Sequence, residues 1–87
     1  MRLGGRIQAS IEVLEDILNR RTPATMALRD WGKSNRYAGS KDRSCVGNIV
    51  HDALRLKSSM AYRMDDQSAR AIILGIMSFH WGHSADD

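Results

Sequence analysis

Apolar residues recur at three- and four-residue intervals along most of this chain, the spacing that puts side chains on one face of an α-helix. In residues 6–19, Ile7, Ile11, Leu14, Ile17 and Leu18 form a face to be buried, while Glu12, Glu15 and Asp16 point to water. Arg20-Arg21 end this helix at the negative end of its dipole. Residues 1–5 read as a flexible, basic lead-in. Thr22-Pro23 opens a second helix, threonine as the cap and proline at the first helical position, where its missing N–H loses no bond. Ala24, Ala27, Leu28 and Trp31 share a face, and Gly32 reads as the stop. Residues 33–39 form a basic linker that contains Tyr37, either a lid over the core or a ring on which a base can stack.

A third helix is expected over 41–60 or further, with Ser40 as cap and Asp42 complementing the dipole in the first turn. Val46, Ile49, Val50, Ala53 and Leu54 make its apolar face, and Gly47 is a place where another helix can come close. Asn48, Asp52, Arg55 and Ser59 line up beside it as a polar strip. Met64-Asp65-Asp66 breaks this helix, and either aspartate can cap a fourth over 67–81. There Ala69, Ile72, Ile73, Ile76 and Met77 share one face, with Leu74 and Trp81 on another. Such a helix is apolar around most of its circumference, the pattern of an element buried on all sides. No alternating strand pattern occurs. Four helices with short connections predict an all-α, bundle-like domain, and 87 residues allow a single domain with a modest core.

The stretch Gly-Ser-Lys-Asp-Arg-Ser-Cys-Val-Gly-Asn-Ile-Val-His-Asp-Ala-Leu-Arg (39–55) resembles the central helix of the NusB-like all-helical domain. That domain is the whole body of an antitermination factor and the N-terminal part of RsmB/Sun-type (NOL/NOP/Sun family) 16S rRNA cytosine-C5 methyltransferases. Arg-Ile-Gln-Ala-Ser-Ile-Glu-Val-Leu (6–14), Ala-Leu-Arg-Asp-Trp-Gly (27–32), Ile-Leu-Gly (73–75) and His-Trp-Gly (80–82) resemble the methyltransferase version. The resemblance covers nearly the whole chain. His51-Asp52 departs from the Tyr-Gly or similar small pair usual at that turn, which adds a titratable group to the polar strip and leaves the apolar face intact.

The resemblance implies a small NusB-like helical bundle, the N-terminal fragment of a longer protein. It implies an auxiliary domain that orients rRNA for a catalytic domain outside these 87 residues. S-adenosylmethionine would bind that missing domain; this chain has no Gly-x-Gly motif after a strand and is expected to hold no cofactor and catalyse nothing alone. It also implies a basic start of the first helix within the RNA-binding surface, at Arg6, and places Arg43 and Arg55 at motif arginines. Both of these also have a structural reading: Asp42 and Arg43 can tie the helix start to a neighbour, and Arg55 can pair with Asp52.

Charge sharpens the RNA expectation. Residues 1–63 hold 12 of the 13 Lys and Arg but 6 of the 10 Asp and Glu, a formal +6, whereas residues 64–87 hold one and four, a formal −3. Ten of the 13 basic residues are arginine, whose planar fork suits phosphate. Arg2, Arg6, Arg20, Arg21, Lys33, Arg36, Lys41 and Arg43 fall at helix ends and in the linker, where phosphate contacts are easily made. Leu74 and Trp81 are the candidate partner interface, toward the missing catalytic domain or a second copy through the fourth helix. A protein-interaction module and a free-standing antitermination-like factor are the rival readings.

Cys45, the single cysteine, excludes an internal disulfide and reads as a buried small hydrophobe in a reducing compartment. His80 and His83 supply two ligands only, so no metal site is expected. No charged start followed by a long apolar run marks a signal peptide, and the longest apolar run, 71–74, is too short for a membrane span, so a cytoplasmic protein is expected.

Overall fold

A computed structural model describes residues 2–80, which fold into four α-helices: α1 (Leu3–Arg20), α2 (Ala24–Ser34), α3 (Ser40–Met64) and α4 (Ala69–Gly75). A π-helical turn, Ile76–His80, carries α4 onward. There is no strand among the described residues, so the chain is all-α as its periodicity predicts. No helix among them is long and apolar enough to cross a membrane.

The helix ends fall where backbone chemistry puts them. α1 starts at Leu3, inside the segment expected to be a flexible lead-in, because Leu3 extends the stripe of Ile7 and Ile11 by one turn and packs on the core. Gly4 and Gly5, poor helix formers, hide that extension in the sequence. Arg21 closes α1 in the left-handed conformation (φ 56°), as glycine usually does. Pro23 is the N-cap of α2 rather than its first residue, and Thr22 is displaced from the capping position. Gly32 is no stop. α2 runs on to Ser34, where the Asn35 backbone N–H and Nδ2 both donate to Trp31 O, at 3.0 and 2.9 Å.

α3 begins at Ser40, so Gly39 is its cap. Asp42 reaches back, its Oδ2 accepting from Gly39 N–H at 3.2 Å, and does the work expected of Ser40. α3 ends at Met64 as the Asp65-Asp66 break predicts. Asp65 is left-handed (φ 51°), with its N–H on Tyr62 O, and Asp66 N–H bonds Ala61 O. Neither aspartate caps α4. Ser68 does, its Oγ accepting from Ala71 N–H at 3.2 Å, and Asp66 holds Ser68 by accepting its N–H at 2.8 Å.

α1 and α3 form a central pair. They run the same way: Arg6 meets Asp42 near their starts, and Leu18 shares a groove with Lys57 and Ala61 near their ends. Each presents two stripes, not one. Ile11 and Leu14 of α1, with Ile49, Ala53 and Met60 of α3, pack around Ala69, Ile72, Ile73, Ile76 and Met77. Ala9 and Val13, with Val46 and Val50, pack instead against Ala27 and Trp31 of α2 and Ala38 of the linker. Half-buried Leu54 touches both clusters. A fully buried Leu or Ile contributes about 1.5–3 kcal/mol, and Leu14, Ile49, Ile72, Ile73 and Ile76 are all less than 2% exposed. The α4 side therefore dominates stability. Ser10, also fully buried, is satisfied by donating to Arg6 O.

Two expectations about this core are corrected. A Cβ on Gly47 would meet nothing within 4 Å, so the close helix approach is not there. It is at Gly75 of α4, where a Cβ would lie 3.1 Å from Met60 Sδ and 3.2 Å from Met64 Cγ of α3. Cys45 is half-buried at the rim of the α4-side cluster rather than inside it.

Candidate nucleic-acid interface

The basic residues singled out from the sequence do not form one surface. Arg2 is exposed just before α1, and its carbonyl accepts the Arg6 N–H. Arg20 and Arg21 are exposed at the far end of α1, about 21 Å along the axis from Arg6 at 1.5 Å per residue. Arg20 lies 3.7 Å from Asp16. Lys41, exposed in the first turn of α3, borders a shallow hollow with Ser40, Ser44, Cys45 and Asn48.

Arg6 has a structural partner. Its Nε donates to Asp42 Oδ1 at 2.8 Å, and a terminal nitrogen lies 2.8 Å from the same oxygen. The Asp42 carboxyl is held below its ordinary value, first by the Arg6 hydrogen bond and then by the Gly39 N–H, against a desolvation that works the other way. Arg6 is correspondingly raised by the same bond. The tie between the start of α3 and a neighbouring helix thus exists, but through Arg6 and Asp42. Arg55 makes its expected bond to Asp52, at 3.1 Å.

Arg43 points elsewhere, toward α2. Its guanidinium lies against the bare backbone of Gly32, where a Cβ would stand 3.7 Å from Nε. There it joins Arg29, Lys33 and Arg36 around an open depression of about 430 Å³, floored by Leu28 and Gly32. All four cations are exposed, and none makes an ion pair among the described residues. The nearby carboxylates are Asp30, exposed on α2, and Asp42, which faces Arg6. Four like charges around one hollow repel one another, and an anion placed there relieves the repulsion.

Arg29 is not among the basic residues singled out from the sequence because it lies within α2 rather than at a helix end or in the linker. Arg29 and Lys33 are four apart on one side of α2, and Arg36 follows in the turn after it. That spacing is the signal that finds it.

Tyr37 is 77% exposed and is not a lid on the core; Ala38, 3% exposed, fills that place. Leu74 is half-buried, and Trp81 lies outside the described residues. His80 begins a pair whose second member, His83, also lies outside them, and no metal-ligating group of three occurs among the described residues. No protein-family profile, curated protein or solved structure matches the chain.

Proposed function

We propose that this chain is an RNA-binding domain that grips phosphates through Arg29, Lys33, Arg36 and Arg43. In the reading that its NusB-like motifs suggest, it orients rRNA for an S-adenosylmethionine-dependent cytosine-C5 methyltransferase domain elsewhere in a longer protein. That catalytic domain, not this one, would bind S-adenosylmethionine. The observation that carries the proposal is the convergence of four exposed cations, three of them arginine, on one hollow with no ion pair among the described residues. Such contacts position an RNA backbone and read little sequence.

The rival, a protein-docking module built on α4, has less behind it. Of the apolar side chains described on α4, Ala69, Ala71, Ile72 and Ile73 are buried inside the domain, and only Leu74 is left half exposed.

Anisotropy titration of a structured RNA over a salt series tests the proposal. Log affinity should fall linearly with log salt, by about 0.7–0.9 for each phosphate neutralised. Replacing Arg29, Lys33, Arg36 and Arg43 with Ala should flatten the slope by about three, while the Arg20→Ala/Arg21→Ala pair leaves it near wild type. A slope unchanged in the quadruple variant would refute the assignment.

A further inference from the structure

The residue that follows Arg36 of the proposed phosphate grip carries an aromatic ring that the core does not bury. Tyr37 follows Arg36 directly, and its ring stands in solvent. Its backbone neighbours are nonetheless fixed. Asn35 is moored to the end of α2 by two bonds to Trp31 O, and Ala38 is buried against Trp31 and Val46 in the α2-side cluster. Ala38 N–H also bonds Asn35 O at 3.0 Å, closing the turn around Tyr37. The tyrosine hydroxyl donates to Asn35 Oδ1 at 3.0 Å, so the ring is held from its far edge as well. The polar end of this side chain is satisfied locally, and its faces are left open.

A base stacks on such a face whatever its identity, and a phosphate beside it needs cations. Here the ring follows Arg36 in the α2–α3 connection, with Arg29 and Lys33 on the helix before it and Arg43 on the helix after it. A duplex offers phosphates but keeps its bases stacked inside; an unpaired nucleotide offers both. We infer that the ligand of this surface is an unpaired nucleotide of RNA, in a loop or bulge, with its phosphate among Arg29, Lys33, Arg36 and Arg43 and its base on Tyr37. The inference rests on the RNA-binding reading above and names the form of RNA that the same site takes. Tyr62 supplies an internal control: it is 88% exposed but sits 19 positions along α3 from Arg43, about 28 Å away along the axis.

The test compares two RNAs with equal numbers of phosphates, a hairpin with 2-aminopurine in its loop and a blunt duplex, titrated with the 87-residue chain. The hairpin should bind more tightly, and 2-aminopurine fluorescence should fall on binding. Tyr37→Ala should weaken the hairpin by about five- to a hundredfold, the range for one lost base stack, and leave the duplex unchanged. Tyr37→Phe should stay within about twofold on the hairpin, and Tyr62→Ala should match wild type. An unaltered circular dichroism melt shows that Tyr37→Ala is folded, and the wild-type fluorescence change needs no variant at all. Equal binding of both RNAs, or a Tyr37→Ala loss shared by hairpin and duplex, overturns the inference while the phosphate grip survives. Absence of salt-dependent binding to either RNA overturns the RNA reading itself.

Discussion

The two sides of the α1–α3 pair are built differently. Toward α4 the partners are large and branched, with Ile72, Ile73 and Ile76 sealed between Leu14, Ile49 and Met60. Toward α2 the buried partners are the small Ala27 and Ala38 with bulky Trp31, Leu28 is half-buried beside them, and four cations lie just outside. Apolar area removed from water is what stabilises a small domain, so the α4 side holds the fold. The α2 side encloses less apolar surface and carries chemistry that the fold does not consume. The side that holds the fold and the proposed phosphate grip thus lie on different flanks of one central pair, and substitutions should separate them.

The largest separation is expected from a core truncation set against a charge removal. Ile73→Ala should lower stability by about 2–5 kcal/mol in denaturant unfolding, a large share of what a domain of this size possesses. Arg43→Ala should stay within about 0.5 kcal/mol of wild type in the same assay while weakening RNA. If Ile73→Ala were neutral, α4 would not be the stabilising side.

The glycines sharpen the same comparison at smaller magnitude. Gly75→Val forces side chain into Met60 and Met64 and should cost about 1–3 kcal/mol. Gly47→Ala fills open space in the middle of α3 and should raise stability by about 0.8–1 kcal/mol through helix propensity. Thermal melts of the two variants should shift in opposite directions. A shared sign would mean that α3 and α4 do not pack tightly at Gly75.

The smallest effect belongs to the Arg6–Asp42 tie, which is partly open to solvent and therefore screened. Because the Asp42 carboxyl is lowered in the folded protein, its contribution is complete above the unfolded value and is lost as pH falls through the folded one. Asp42→Asn should therefore flatten the acid limb of a stability–pH curve without altering the neutral plateau's slope. An acid limb identical to wild type would show that Asp42 has the same affinity for protons folded and unfolded.

Much of this was legible in the residues. Helix number, the break at Asp65 and the burial of Ala69, Ile72, Ile73, Ile76 and Met77 follow from three- and four-residue spacing, because helical periodicity is a local property of the chain. The ends were less legible. Pro23, Gly39 and Ser68 cap where Thr22, Ser40 and an aspartate were expected, since neighbouring residues compete for one capping position and packing breaks the tie.

What the tertiary structure alone decided is which distant residues meet. Arg6 and Asp42 are 36 positions apart, and their bond ties the start of α1 to the start of α3. Gly75, not Gly47, is the place of closest helix approach because only the docking of α4 on α3 brings Met60 and Met64 against it. Arg43 joins Arg29, Lys33 and Arg36 because the turn after α2 sets the first turn of α3 beside Gly32. Periodicity assigns each residue a face on its own helix, whereas the contact between two faces depends on how the helices pack, and that is settled only when the whole core closes.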